Sequence, residues 1–212
     1  RMRNWMYDSK ILYRTIKLSE EIYDESMYGI DDLYRIKDLS HSVDDNHWIG
    51  KQLLAEKLYE LYNHDAGKLL VLGGWYGMMA YQLRKQWPEK QMNIESTDMD
   101  PMCEEYGYKL FHDYDIGFST LNINDSFIIP QYTGIVNTSC EHMEQKDLNN
   151  IIKSKDPDCW VAFQSNDYVD LDSHVNCYPT AELFADSLDL NWVADIDTID
   201  LGDFKRFTVI GK

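Results

Sequence analysis

Long apolar segments and closely spaced cysteines are both missing from this chain of 212 residues. No stretch approaches the roughly 18 consecutive apolar residues of a membrane-spanning helix, so we expect no transmembrane segment and no membrane partner. The four cysteines are far apart, which excludes a disulfide scaffold or a zinc motif: Cys103, Cys140, Cys159 and Cys177. The first residues lack the apolar core of a secretory signal. We therefore expect a reduced, cytoplasmic protein without a structural metal.

Basic residues are also scarce. Twenty Lys and Arg stand against 37 Asp and Glu, giving a net charge of −17. Tight binding to nucleic acid requires cations that displace the counterions of the phosphates, so the composition disfavours an extended nucleic-acid footprint. Residues 1–19 are the exception, with five basic side chains and one acidic. This segment is either a solvated helix face or an anion-binding arm.

The hydrophobic pattern predicts two kinds of structure along the chain. Before position 63, helical spacing predicts helices at 8–26, 28–39 and 48–62. After position 67, short apolar strands alternate with helices, and the last two strands can form a hairpin. This alternation predicts an α/β fold with a doubly wound, seven-stranded, mostly parallel sheet and an N-terminal helical cap. We assign residues 1–45 to the cap and 46–212 to the α/β domain.

One glycine-rich loop and one acidic residue give the clearest indication of function. Gly73-Gly74-Trp75-Tyr76-Gly77 connects the first apolar strand directly to a helix, and glycine there permits close approach of a ligand to the backbone. Asp98 ends the next strand, where an acid in a doubly wound sheet accepts hydrogen bonds from ribose hydroxyls. Asp98 can instead cap the following helix, but Asp100 is better placed for that role. Together the two features predict a nucleoside-binding site.

Three segments resemble the class I S-adenosylmethionine-dependent methyltransferases. Residues 71–77 are similar to the glycine-rich first motif of that family, 96–101 to the end of its second strand, and 135–143 to its fourth strand with a following Glu-His pair. The resemblance covers about residues 46–212. It implies a Rossmann-like methyltransferase fold, S-adenosyl-L-methionine as cofactor, and methyl transfer as the reaction.

The resemblance also implies a set of cofactor-binding residues. They are Gly73, Gly74, Trp75, Tyr76, Gly77, Asp98, Met99, Asn122, Ile123, Asn124, Asn137 and Thr138. Two departures from the family pattern stand out. Trp75 and Tyr76 occupy the middle of a loop that is usually built from small residues. The acid that usually follows the third strand has no clear equivalent, so Asn122 or Asn124 takes its place, with Ile123 or Phe127 against the adenine ring.

The candidates for catalysis or substrate contact are polar residues after the fourth and fifth strands. They are Glu141, His142, Asn166, Tyr168 and His174. An imidazole titrates near neutrality, so His142 or His174 can act as a general base, while the Glu141-His142 pair can equally serve local structure. Cys140 is a weaker candidate as a nucleophile. Asn46, His47, Trp48 and Lys51 precede the glycine strand and can cover the cofactor or form a surface cap.

These residues favour a methyltransferase that acts on a small molecule or a nucleotide. Three alternatives stay open. The basic segment 1–19 can support a nucleic-acid methyltransferase, and the acidic surface suits an aminopropyl-transferring enzyme that binds a polyamine. The altered glycine loop is compatible with a cofactor-binding subunit that has no activity of its own.

Overall fold

The structure is a computed structural model, and it describes residues 8–25, 29–62, 66–88, 91–123 and 131–212. Within those ranges, no helix combines the length and apolar character needed to cross a bilayer.

A seven-stranded sheet forms the centre of the molecule. Its strands are β1 Gly67–Leu72, β2 Met92–Asp98, β3 Gly117–Thr120, β4 Gly134–Asn137, β5 Trp160–Asn166, β6 Val193–Asp200 and β7 Lys205–Gly211. The strand order is β3-β2-β1-β4-β5-β7-β6. The pairs from β3 to β5 are parallel, and β7 is antiparallel to both of its neighbours. This arrangement confirms the predicted fold class, and the order reverses between β1 and β4, where ligands bind in such sheets.

Helices cover both faces of the sheet. They are α1 Ser9–Glu25, α2 Ile30–Ser42, α3 Asp45–Tyr62, α4 Met78–Gln86, α5 Pro101–Phe111, α6 Gln145–Ser154 and α7 Ala181–Ser187, with a 3₁₀ turn at Cys140–His142. Successive side chains of β1 point to opposite faces of the sheet, and each set packs against a different layer of helices. Leu69 and Val71 pack in one cluster with α3 and α4, whereas Leu70 and Leu72 pack in another with α6 and α7. A strand buried on both faces is expected to be apolar throughout, as this one is.

The N-terminal helices share a hydrophobic core with the rest of the chain. Ile11 of α1 and Leu39 of α2 belong to the same buried cluster as Tyr81 and Phe111. This cluster crosses the proposed boundary at position 45, so the division into a cap and an α/β domain stays a prediction.

The basic side chains of α1 have local partners. Arg14 donates to Asp113 at 2.6 Å and to the carbonyl of Leu110 at 2.7 Å, and Lys10 pairs with the same Asp113. Lys17 pairs with Glu20 one turn along the helix. These contacts hold α1 against the end of α5, so Lys10 and Arg14 act as helix anchors. Arg1 and Arg3 lie outside the described residues.

The third strand is shorter than the sequence predicts. The apolar pattern predicts a third strand at about 118–123, but pairing with β2 ends at Thr120, opposite Asp98. The chain then leaves the sheet, and the N–H of Leu121 donates to the carbonyl of Asp98 at 2.8 Å. The segment from Leu121 to Ile123 is thereby placed beside the end of β2 instead of within the sheet.

Candidate functional site

A cavity of about 920 Å³ opens at the carboxyl ends of the parallel strands. Its walls come from the loops that follow β1, β2, β3, β4 and β5, from the end of α2 and the start of α3, and from the hairpin that leads into β7. This is the edge of an open α/β sheet at which ligands bind. Its volume lies within the range of cavities that bury a small molecule or a cofactor.

The glycine loop and Asp98 lie together at this edge. Asp98 Oδ2 accepts a hydrogen bond from the backbone N–H of Trp75 at 2.9 Å, and Oδ1 accepts from the N–H of Asp100 at 3.1 Å. The cap of α5 is Asp100, which accepts from the N–H of Met102 at 2.9 Å. Asp98 is therefore not the helix cap, but it is also not free, because it joins the loop after β1 to the loop after β2.

Trp75 has a left-handed backbone with φ of 51°, between Gly73 at 57° and Gly77 at 92°. This conformation costs roughly 1–2 kcal/mol for a residue with a side chain. The indole ring has contacts that offset part of the cost. It stacks on Tyr76 with 5.4 Å between centroids, and it contacts His47 edge-on at 5.4 Å.

We expect glycine to be more stable than alanine at position 75. Both Trp75→Gly and Trp75→Ala lose the ring contacts, but only glycine relieves the left-handed strain. The free energy of unfolding of W75G should therefore exceed that of W75A by about 1 kcal/mol. Urea unfolding of the two variants measures the difference. The same pair at Thr198, in exposed strand β6, serves as control, and there glycine should be the less stable residue. Equal stability of W75G and W75A would contradict the strain.

The five loop residues do not all face the cavity. Gly73 and Trp75 line it. A side chain at Gly74 would collide with Ser96, and one at Gly77 would collide with the ring of Phe118, so these two glycines are required by packing. Tyr76 is 1% exposed and packs in the buried cluster that contains Ile11 and Phe111, where its hydroxyl accepts from Arg35 at 3.4 Å.

The loops after β2 and β3 form the next part of the wall. Asp98, Met99, Asn122 and Ile123 line the cavity, together with Leu121. Asn124 and Phe127 lie outside the described residues. The resulting surface combines one carboxylate, one amide and apolar side chains, which suits a nucleoside with its ribose on the acid.

Asn137, at the end of β4, stabilises the turn that follows the strand. It is fully buried, it is not part of the cavity wall, and its Oδ1 accepts from the N–H of Ser139 at 2.8 Å. Thr138 and Ser139 do line the cavity, and Ser139 Oγ donates to the carbonyl of Gly73 at 3.2 Å. Asn137 thus holds the turn that brings Ser139 onto the glycine loop.

The candidates for catalysis converge on the same cavity. Glu141 is 4% exposed, and its Oε1 accepts from Asn166 Nδ2 at 2.9 Å across two neighbouring strands. The rings of His142 and His174 are in edge contact, with 4.7 Å between centroids. Tyr168 also lines the cavity, next to His174. The residues that follow β4 and those that follow β5 are therefore one cluster.

Cys140 has a different environment. It is fully buried within the hydrophobic core beneath α6, and burial raises the pKa of its thiol well above the usual value. The thiolate is the nucleophilic form of cysteine, so this position does not favour a nucleophile.

The end of α2 and the start of α3 supply a charged wall. Asn46, His47 and Lys51 line the cavity, whereas Trp48 is fully buried in the core. Burial, reinforced by the guanidinium of Arg206, lowers the pKa of Lys51 to about 7. Burial also lowers the pKa of His47 to about 4. Near neutral pH its neutral imidazole therefore donates a hydrogen bond from Nδ1 to the Asp44 carboxylate at 2.8 Å.

Several wall residues were not among the candidates from sequence. They include Asp38, His41, Asp44, Phe204 and Arg206. Arg206 is 4% exposed and donates to the carbonyl of Thr138 at 3.2 Å. It belongs to a terminal hairpin strand, and its sequence neighbours give no sign that it approaches the end of β4. Only the strand order places it there.

Comparison with known proteins gives a consistent result at the level of fold. No protein-family model and no curated protein sequence matches the chain. Among solved structures, it is similar to the PH0226 protein from Pyrococcus horikoshii OT3, with a TM-score of 0.62 at 15% identity over 86% of this chain and 99% of that one. It is also similar to the CurJ carbon methyltransferase, with a TM-score of 0.60 at 14% identity over 77% of this chain and 53% of that one.

A further similar structure is a SAM-dependent methyltransferase from Aquifex aeolicus, with a TM-score of 0.56 at 14% identity over 74% of this chain and 88% of that one. The chain spans about half the length of the CurJ protein. At such low sequence identity, structural similarity establishes the fold alone. Together with the strand order, these similarities show that this chain has the class I methyltransferase fold.

Proposed function

We propose that this protein transfers a methyl group from S-adenosyl-L-methionine to a small molecule or a nucleotide. The observation that carries the proposal is the 2.9 Å hydrogen bond between the Trp75 N–H and the Asp98 carboxylate, because it places the glycine loop and the strand-end acid on one ligand-sized cavity. The fold that this chain shares with the CurJ carbon methyltransferase and with the SAM-dependent methyltransferase from Aquifex aeolicus supports the same chemistry.

The residues present fit the cofactor. Each oxygen of the Asp98 carboxylate accepts one backbone N–H, and each has a second lone pair with which to accept a ribose hydroxyl. Leu121 and Ile123 offer apolar surface for a purine ring, and Asn122 offers an amide that can accept from an amine. When bound, the cofactor supplies a methyl group on a sulfonium sulfur.

The protein's part in the reaction is to hold the acceptor in line and to manage its proton. The cavity is bounded by the polar residues after β4 and β5, which we propose hold the acceptor. Where that acceptor carries a proton, His142, His174 and Lys51 face the cavity and can take it. Lys51 is suited to this role because its pKa of about 7 leaves much of the amine neutral near physiological pH.

The charge of the cavity favours a small acceptor over a polyanion. Six acidic side chains line it: Asp38, Asp44, Asp98, Glu141, Glu144 and Asp147. The nucleic-acid alternative needs the basic residues of the N-terminal segment. The described ones have acidic partners within the chain, since Lys10 and Arg14 pair with Asp113 and Lys17 pairs with Glu20.

Calorimetric titration with S-adenosylmethionine and S-adenosylhomocysteine tests the proposal. We expect one site for each ligand per chain, followed by transfer of labelled methyl groups when metabolite pools are added. Binding without transfer to any acceptor would favour the non-catalytic subunit. If neither compound binds, the proposal is wrong.

A further inference from the structure

Three potential metal ligands meet on one wall of the cavity. Glu141 and His142 lie in the 3₁₀ turn after β4, and His174 lies in the loop between β5 and α7. One ligand atom of each lies within 4.8 Å of the others. Donor atoms at such separations can reach one ion after small rotations of the two imidazoles, since metal–nitrogen bonds are about 2.0–2.1 Å long.

The backbone contacts of both histidines favour the tautomer that can bind a metal. His142 Nδ1 donates to the carbonyl of Ser173 at 3.1 Å, and His174 Nδ1 donates to the carbonyl of Tyr168 at 2.5 Å. A carbonyl oxygen only accepts, so each Nδ1 carries a hydrogen, and in the neutral ring Nε2 then has the lone pair. Histidines that bind metals almost always donate their other ring N–H to a carbonyl, a carboxylate or water.

Glu141 supplies an independent sign that a ligand is needed. Its Oε2 is buried without a hydrogen-bond partner among the described residues, although the carboxylate lines the cavity. Oε1 is already engaged, since it accepts from Asn166 at 2.9 Å and lies 3.8 Å from Arg206. A buried carboxylate oxygen with no partner is costly, and a cation at Oε2 would remove that cost.

We propose that Glu141, His142 and His174 bind one divalent transition-metal ion, with its remaining coordination positions open to the cavity. Two imidazoles and one carboxylate suit Zn²⁺, Fe²⁺ or Co²⁺ better than Mg²⁺ or Ca²⁺, which prefer oxygen ligands. Three protein ligands with open positions are the pattern of catalytic sites, whereas structural zinc sites have four. The acidic side chains around the cavity also attract a cation.

A metal ion at this site would limit the methyl acceptor to one chemical class. This inference rests on the proposed methyl transfer. Imidazoles bound to the ion no longer take the proton themselves. The ion would instead bind a hydroxyl oxygen of the acceptor and lower the pKa of that hydroxyl, so that the proton leaves to Lys51 or to solvent. The oxygen then forms a bond to the methyl carbon while the carbon–sulfur bond breaks, and that electron pair stays on sulfur. The expected acceptor is therefore a hydroxyl compound.

Titration of the cofactor-free protein with Zn²⁺ and with Co²⁺ tests the site. We expect one ion per chain, and Co²⁺ should show d–d absorption without a thiolate charge-transfer band. Each of H142Q and H174Q should weaken binding at least about tenfold. His142 is exposed and His174 half-buried, so the variants should fold, which circular dichroism checks.

Two variants serve as controls. H112Q changes an exposed histidine at the end of α5 and should bind as the unchanged protein does. C177S removes the thiol that lies 3.7 Å from His174 Nδ1 and should also retain binding. The proposal fails if the unchanged protein binds no more tightly than the H142Q/H174Q double variant, or if C177S abolishes binding. Affinity for S-adenosylmethionine, measured on the same variants, reports separately on the proposed function.

Discussion

Replacing Asp98 with asparagine is expected to weaken binding of S-adenosylmethionine by about 10- to 100-fold. The asparagine can keep one oxygen for the Trp75 N–H, but the second position becomes an NH₂ group that cannot accept from a ribose hydroxyl. Hydrogen bonds to a charged group contribute about 1.5 to 3 kcal/mol, which corresponds to this range of affinity. Calorimetric titration of D98N measures it.

Asp186 provides the matched control for this substitution. It lies on the exposed surface of α7 and is not part of the cavity wall. D186N removes the same charge and should leave the affinity unchanged. If D98N binds the cofactor as tightly as D186N does, Asp98 does not hold the ribose, and the assignment of the acid is wrong.

Replacing Lys51 with methionine is expected to stabilise the protein in a pH-dependent way. Burial lowers the pKa of Lys51 from 10.5 in the unfolded chain to about 7 in the folded one. Below pH 7 the ammonium is charged in both states, so the folded state carries the full cost of burying it, up to about 5 kcal/mol. Between pH 7 and 10.5 only the unfolded state stays protonated, so the stability of the unchanged protein rises with pH.

The difference between K51M and the unchanged protein should therefore be largest at pH 6. It should shrink by about 1.4 kcal/mol per pH unit above pH 7. Urea unfolding at several pH values measures it, and the comparison cancels the titration of all other groups. K37M, at an exposed position of α2, is the control and should show no such trend. A difference that does not change with pH would contradict a lowered pKa for Lys51.

The sequence was sufficient to predict the elements that depend on local patterns. The apolar run of β1, the glycine loop and the acid at the end of β2 are all adjacent features, and they predicted the fold and the position of the cavity. The direction of each loop side chain was not predictable in the same way. Tyr76 lies in the core and Trp75 in the cavity wall because of a left-handed residue in the loop, which no periodicity indicates.

Residues that reach the site across the sheet were the hardest to predict. Arg206 approaches Glu141 because β7 inserts next to β5 in antiparallel orientation, a pairing set by strand order and not by spacing. Asp44 lies in the wall because it directly precedes α3, which packs against β5 and β7. The metal site illustrates the same limit, since His174 follows His142 by 32 residues and no short motif connects them.

We expect one adenosine-bearing molecule to bind against both the glycine loop and Asp98, which are joined by the Trp75 N–H. A crystal structure of the complex with S-adenosylhomocysteine measures this directly. We expect the ribose hydroxyls within hydrogen-bond distance of the Asp98 carboxylate and the adenine beside Ile123, with the sulfur facing Glu141 and the two histidines. Density for the ligand at any other place in the fold, or a cavity that stays without ligand at saturating concentration, would contradict the claim.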